Sequence, residues 1–249
     1  MGGESEYREE LRALDKLFLV TILAVIINVA LYAVVLIAYT KSLMLYITLD
    51  PSNVMTKIHM LEIYFRILAM VCIIYGAVQL MVPYSLYLMR KWTKAETIYI
   101  LGLILLYVIA LVLLAIGGMR ILRELPTFLE KCRTSSEIYE NDHQAARNYL
   151  WEAKGDFSSR ALLFIQVSFW LYFPTYIISM WFVADGEAGR RMYIGFLCIG
   201  AGHLFLVILI LGFNVLPVIG YLIWLDGMNR LRKRIVKIYR KKSSVRRSI

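Results

Sequence analysis

The sequence predicts an all-α integral membrane protein, a polytopic bundle of about five transmembrane helices. Hydrophobic residues make up 60% of the 249 residues and charged residues 18%, whereas soluble domains have about 45–50% and about 25%. The apolar residues also lie in unbroken runs of about 18 or more, which is the length that crosses the hydrocarbon core of a bilayer. Charged residues are concentrated between these runs and at the chain ends, as in a multi-pass membrane protein.

Five apolar runs are long enough to cross a membrane. The spans that they predict are 17–39, 67–89, 98–119, 161–184 and 192–213. Asp50 and Pro51 are typical of a helix start, so the second helix is expected to begin well before its apolar part. The last run stays apolar to Leu225, which is longer than one crossing needs but short for two crossings and a turn. We interpret it as one span that extends past a kink near Pro217. Residues 1–225 are thus the predicted transmembrane domain.

The distribution of basic residues predicts the orientation of the chain. Residues 226–249 form a tail with ten Lys or Arg and one acid, whereas the first sixteen residues carry three basic and five acidic groups. With five spans the two ends face opposite sides, and eight Lys or Arg then lie on the N-terminal side against nineteen on the other. The positive-inside rule therefore predicts a cell-membrane protein with its N-terminus outside and its tail in the cytoplasm. The connection 120–160 is expected to be helical and cytoplasmic as well.

One conspicuous polar residue lies near the middle of each predicted span. These residues are Asn28, Gln79, Tyr107, Tyr172 and His203. Intramembrane polar groups are candidates for function, so the sequence predicts a ligand-binding cluster in which His203 titrates or binds the ligand. Ordinary hydrogen bonding between helices is the alternative. No charged residue lies at the centre of a span, which argues against a proton pump or an ion-coupled carrier.

The motifs of common cofactors and enzymes are not found, and the identity of any cofactor stays open. His203 is the only histidine within a predicted span, so two axial histidines for haem are not expected. The sequence has no HExxH motif and no Cys/His cluster with zinc-ligand spacing, and no metal site is predicted. Residues 185–191 resemble the opening of the metal-dependent phospholipid-synthase motif. The later aspartates of that motif are missing, so a hydrophilic turn explains these residues better.

The tail has the pattern of a basic amphipathic helix, with apolar residues at 228, 231, 235 and 238 on one face. The basic residues that cover much of the remaining surface are Arg230, Arg232, Lys233, Arg234, Lys237, Arg240, Lys241 and Lys242. Beside a membrane helix, such a cluster predicts binding to anionic lipid head groups. Lipid binding accounts for the charge, so nucleic acid is not expected as a partner.

These observations favour a non-enzymatic multi-pass membrane protein, either a transport-related component or an accessory subunit of a membrane complex. Such a protein is expected to form a homo- or hetero-oligomer within the lipid bilayer, because its helices offer wide apolar surfaces. The alternative is a membrane-embedded enzyme or a cofactor-, quinone- or lipid-binding protein whose site surrounds His203. A third hypothesis is that the tail recruits cytoplasmic partners.

Overall fold

A computed structural model of the chain describes residues 2–92, 96–183, 186–208 and 215–247. Side chains are described for residues 9–90, 92, 96–183, 186–204 and 215–238. This part of the chain is helical apart from short turns and contains no strand, so the all-α class is confirmed. The helices are α1 (Gly2–Ile47), α2 (Val54–Gln79), α3 (Met81–Met89), α4 (Thr97–Tyr139), α5 (His143–Phe157), α6 (Leu163–Ser179), α7 (Glu187–Ile208) and α8 (Leu216–Arg247), with a π-helical turn (Ser158–Leu162) joining α5 to α6.

Four helical stretches of the described residues are long and apolar enough to cross a membrane. They are Glu9–Ile47, Pro51–Met89, Thr97–Tyr139 and His143–Phe182. Large apolar side chains such as Leu19, Ile26, Met70 and Leu105 remain exposed on their outer faces. Such a surface is unfavourable in water but is suited to lipid. The structure therefore supports a membrane-embedded protein. The first three predicted spans lie within these stretches, and the fourth, 161–184, lies within the last of them as far as Phe182.

The second helical stretch begins as its sequence predicts. The Asp50 carboxylate accepts a hydrogen bond from the Ser52 amide at 3.1 Å, and the Asn53 side chain accepts one from the Asp50 amide at 3.0 Å. Pro51 occupies the first helical position, where its missing N–H has no cost. Hydrogen bonds from the hydroxyl and the amide of Ser52 lower the pKa of Asp50, so this cap is charged at neutral pH.

The chain turns back between α7 and α8, and the two helices pack antiparallel. A Cβ atom placed on Gly195 would lie 2.7 Å from the Gly220 carbonyl oxygen, and one on Gly202 would lie 3.0 Å from the Pro217 nitrogen. Residue numbers thus rise along α7 while those of the facing residues fall along α8. The prediction of one span extended past a kink near Pro217 is wrong, because α8 packs back along α7, where glycines let the two helix backbones come close together. Residues 209–214, including the end of the predicted fifth span, lie outside the described residues.

The beginning of α1 and the tail meet at the same end of the bundle, which we call the terminal end. Arg232 forms an ion pair with Asp15 at 2.6 Å, and its guanidinium lies 5.0 Å from the centre of the Phe18 ring. Arg191 of α7 and Asp226 of α8 form a second ion pair there, at 2.9 Å. The predicted placement of the two termini on opposite sides is therefore wrong, because the hairpin adds one more reversal of the chain.

The connection 120–160 lies at the opposite end, where it forms part of a helical cap. Helix α4 continues to Tyr139, and α5 folds back along it. The Lys154 ammonium donates to the Leu49 carbonyl oxygen at 2.6 Å, and Arg147 lies 3.5 Å from the Asp50 carboxylate. These contacts join α5 to the turn between α1 and α2. The prediction that this connection shares a side with the tail is wrong, because the two lie at opposite ends of the bundle.

Aromatic side chains form the centre of the cap. The Phe128 and Phe157 rings are stacked with their centres 4.6 Å apart, and Phe65 meets Phe157 edge-on at 5.1 Å. Tyr46 packs against all three rings, and its hydroxyl donates to the Lys154 carbonyl oxygen at 2.5 Å. Because aromatic burial of this kind is typical of a packed core, the cap is a built unit rather than a loose loop.

The close contact between α7 and α8 makes Gly195 intolerant of a side chain. In Gly195→Ala the new methyl group would meet the Gly220 carbonyl oxygen and the Trp224 amide nitrogen at 2.7 and 2.8 Å. Overpacking of this kind costs about 1–3 kcal/mol, and about 1 kcal/mol corresponds to about 2–4 °C for a chain of this size. We expect the unfolding temperature in detergent to fall accordingly. The control is Gly102→Ala, since no atom lies within 4 Å of its added Cβ; an equal loss in both variants would contradict the hairpin.

Candidate functional site

Polar side chains meet inside the bundle in two adjoining groups, and every member is fully buried. The lower tier, nearer the terminal end, consists of Asn28, Gln79, Tyr176 and Tyr221. The upper tier consists of Tyr32, Tyr75, Tyr172 and His203. Helices α1, α2, α6, α7 and α8 contribute these residues, so the two tiers link most of the bundle.

Gln79 is the hub of the lower tier. Its amide nitrogen donates to the Asn28 side-chain oxygen at 2.7 Å and to the Tyr221 hydroxyl at 3.2 Å. Its amide oxygen accepts a hydrogen bond from the Tyr176 hydroxyl, which lies 2.8 Å from the Tyr221 hydroxyl. Asn28 in turn donates to the Ala24 carbonyl oxygen at 2.7 Å. Both amide hydrogens of Gln79 are thus used, and the lower tier is a saturated network.

His203 is the centre of the upper tier. Its Nδ1 atom lies 2.7 Å from the Ile199 carbonyl oxygen, and its Nε2 atom lies 2.6 Å from the Tyr75 hydroxyl. A carbonyl oxygen can only accept, so Nδ1 carries a hydrogen and a neutral imidazole accepts the Tyr75 proton at Nε2. The centres of the Tyr32 and Tyr172 rings lie 5.7 and 5.4 Å from that of the imidazole. His203 is therefore held in one tautomer within an aromatic box.

The structure brings the five sequence-predicted residues into one cluster. Asn28 and Gln79 are bonded directly, and the rings of Tyr172 and His203 are in contact. Tyr107 lies beside them, with its ring 6.1 Å from that of Tyr172 and its hydroxyl 3.4 Å from the Ser179 hydroxyl. Binding of a ligand by this cluster stays a prediction.

Sequence reasoning missed four tyrosines of the two tiers. Three of them stand four residues from a predicted member, which is one helical turn along the same face. These are Tyr32 after Asn28, Tyr75 before Gln79 and Tyr176 after Tyr172. Helical spacing could have found them. Tyr221 could not be found in this way, because α8 was not interpreted as a separate helix inside the bundle.

Two hydroxyls of the upper tier have no hydrogen-bond partner among the described residues. They belong to Tyr32 and Tyr172, whose side chains are fully buried. An unpaired buried hydroxyl costs about 1–3 kcal/mol, and water is absent from the hydrocarbon core. This part of the cluster is therefore where the structure leaves hydrogen-bonding capacity unused.

The apolar face of the tail packs against the bundle rather than facing lipid. Met228, Leu231 and Ile235 are buried, whereas Ile238 is 46% exposed. Arg230 and Arg232 form ion pairs with carboxylates of the bundle, Arg230 with both Asp226 and Glu187.

Three basic residues of the described tail, Lys233, Arg234 and Lys237, are exposed at its surface. Lys233 and Lys237, together with Arg232 and Val236, line a surface groove of about 410 Å³. Arg234 lies close to Gly186. The side chains of Arg240, Lys241 and Lys242, which belong to the same predicted site, lie outside the described residues. The tail thus presents its basic groups from a helix whose apolar face is already used.

The charged turn before α7 has a structural use. Gly186 adopts a left-handed backbone conformation with φ 86°, which glycine tolerates without strain. Glu187 and Arg191 form ion pairs with Arg230 and Asp226 of α8. Asp185 lies outside the described residues. Within the described parts of the chain, no group of three or more His, Cys, Asp or Glu residues is placed to hold a metal ion.

Comparison with known proteins gives no relative from which a function can be inferred. No family model matches the chain, and no curated protein or solved structure is significantly similar to it.

Loss of the hub residue is expected to destabilise the bundle. Gln79→Leu would leave the Asn28 oxygen without its bond, at about 1–3 kcal/mol for a buried group. It would also remove the bonds of Tyr176 and Tyr221 to residue 79, while leaving their hydroxyls bonded to each other. We expect the unfolding temperature in detergent to fall by several degrees. Tyr84→Phe is the control. That tyrosine is 44% exposed, so removing its hydroxyl should have little effect on the unfolding temperature. The saturated network would be contradicted if Gln79→Leu were as stable as this control.

Proposed function

We propose that this chain is a non-enzymatic multi-pass membrane protein that binds anionic lipid through α8 and acts either as a transport-related component or as an accessory subunit of a membrane complex. It crosses the bilayer six times, and both termini lie in the cytoplasm. The exposed basic residues of α8, held at the terminal end by ion pairs and apolar packing, carry this proposal.

The antiparallel packing of α7 and α8 supports six crossings rather than five. At 1.5 Å per residue, the segment from Arg191 to Ile208 is about 27 Å long, close to the hydrocarbon thickness of about 30 Å. Asp226 pairs with Arg191 at the same level, so α8 runs back beside α7 to that level. The part of α8 from Leu216 to Asp226 covers about 15 Å of this return. Helix α7 is thus long enough for one crossing, and α8 follows it back toward the terminal end.

The distribution of Lys and Arg supports a cytoplasmic terminal end. Three of these residues precede the first span, three lie at 90–94, two at 190–191 and ten in the tail, for a total of eighteen. The cap end has ten, namely Lys41, Lys57, Arg66 and seven within 120–160. The acidic residues are divided evenly, with nine at each end. The positive-inside rule counts basic residues and therefore favours the terminal end as the cytoplasmic side, which leaves the cap outside.

The geometry of α8 supports lipid binding. Lys233 is seven residues beyond Asp226, about 10 Å along the helix, and head groups extend the bilayer by about 5–7 Å on each side. A lysine stem can bridge the remaining distance by directing its ammonium toward the phosphates. Each basic residue near an anionic surface contributes about 1 kcal/mol, and this contribution weakens as salt is added.

The outer faces of the spans support association with other membrane proteins. Exposed apolar residues continue along α4, at Ile98, Leu101, Leu105 and Val112, and Trp181 after α6 is 84% exposed. Helices associate in a bilayer through close packing of such faces.

Purification in mild detergent should then give an oligomer or a hetero-complex, and a stable lone monomer would contradict the subunit role.

The six-span topology predicts which sites a membrane-impermeant maleimide reaches in intact cells. One cysteine is added at a time at an exposed position. Glu9→Cys and Lys237→Cys should react with the maleimide only after the membrane is permeabilised, whereas Asn148→Cys in the cap should react in intact cells. The unaltered chain, with Cys72, Cys132 and Cys198, gives the background labelling. Labelling of Glu9→Cys in intact cells would restore the five-span topology.

Removal of two exposed lysines should reduce lipid retention. We expect Lys233→Ala/Lys237→Ala to retain less co-purified phosphatidylglycerol, measured by native mass spectrometry at low salt, with a loss of roughly tenfold or more in affinity at about 1 kcal/mol per residue. The matched control is Lys41→Ala/Arg133→Ala, which removes the same charge from exposed positions toward the cap. Equal lipid loss from both double variants would contradict a specific role for α8.

A further inference from the structure

We propose that the upper tier is a binding site for an uncharged oxygen ligand, to which the Tyr32 and Tyr172 hydroxyls donate hydrogen bonds beside His203. This site lies inside the bundle and does not depend on lipid binding by α8. The ligand class is a neutral water or carbonyl oxygen, reaching the site either as an internal water molecule or as part of a lipophilic molecule such as a quinone.

The Tyr32 and Tyr172 hydroxyls are available to donate hydrogen bonds to such a ligand. Both are fully buried, and neither has a hydrogen-bond partner among the described residues. They come from different helices, α1 and α6, and their rings contact the same imidazole at 5.7 and 5.4 Å between centres. Two unpaired donors whose rings both contact one imidazole indicate a shared ligand region rather than an isolated packing fault.

The groups around them are already occupied. His203 uses both ring nitrogens, one on the Ile199 carbonyl oxygen and one on the Tyr75 hydroxyl. The Gln79 amide is bonded through both its nitrogen and its oxygen within the lower tier. The imidazole therefore has no free nitrogen that could accept a bond from the two hydroxyls. An added oxygen satisfies the tyrosines without breaking the network.

The residues around the site favour an uncharged ligand. Both tiers consist of tyrosines, two amides and one imidazole, and Phe169 completes the aromatic wall at 6.1 Å from the imidazole. Neither tier contains an Asp, Glu, Lys or Arg, so an ion would be buried without an opposite charge. A neutral water or carbonyl oxygen offers two lone pairs to O–H donors and carries no such cost.

Infrared difference spectroscopy tests the site directly. Spectra of the detergent-purified protein with tyrosine labelled at the phenolic carbon are compared with those of Tyr32→Phe and of Tyr172→Phe, which isolates the C–O stretch of each hydroxyl. We expect both bands at the position of a hydrogen-bond donor. A water O–H stretching band that shifts in H₂¹⁸O and is lost in both Phe variants identifies water as the ligand, and a shift of the tyrosine bands on adding decylubiquinone identifies a lipophilic carbonyl.

The control is Tyr221→Phe, because the Tyr221 hydroxyl bonds to protein groups of the lower tier. Its band should indicate a bonded hydroxyl that responds to neither probe. Thermal unfolding provides the second measurement, and each of Tyr32→Phe and Tyr172→Phe should lower the midpoint by about 2–4 °C. The proposal is overturned if the two bands lie at the position of a free phenol, if neither probe changes a band that depends on these tyrosines, or if the Phe variants unfold at a higher temperature.

Discussion

The structure depends on one constraint, which is that hydrocarbon forms no hydrogen bonds with polar groups of the protein. The backbone satisfies its own polar groups by forming helices, and no strand occurs in the described chain. The polar side chains form hydrogen bonds with one another. This explains why Asn28, Gln79 and two tyrosines form a saturated network rather than lying separately along their helices. The same constraint gives weight to the two tyrosine hydroxyls that have no hydrogen-bond partner among the described residues.

The glycine contacts between α7 and α8 decide the topology. Because Gly195 and Gly220 have no side chain, the backbones of α7 and α8 pack in close contact. The long apolar run therefore forms two antiparallel helices. This reversal moves the tail beside the beginning of α1 and places the connection 120–160 at the other end. A local packing property therefore changes the inferred sidedness of the whole chain.

The tail illustrates how a fold can redirect a sequence pattern. Its apolar face would suit insertion into a membrane surface, yet Leu231 and Ile235 are buried within the protein. Ion pairs with Asp15 and Glu187 hold its first arginines against the bundle. The helix thus has a fixed direction, and its remaining lysines form a rigid basic surface. Such a surface loses less conformational entropy on binding head groups than a free tail would.

The sequence alone determined the class of the protein, because long apolar runs require lipid and helical backbones. It predicted four apolar stretches that the structure forms as helices long enough to cross a membrane, and the capped start of the second stretch. It also selected five buried polar residues that share one cluster, since polar groups within apolar runs must turn inward. The hairpin, the shared end of the two termini and the four additional tyrosines were decided by tertiary structure. Backbone approach at glycines, and the choice of facing residues between helices far apart in the chain, depend on contacts that no local pattern specifies.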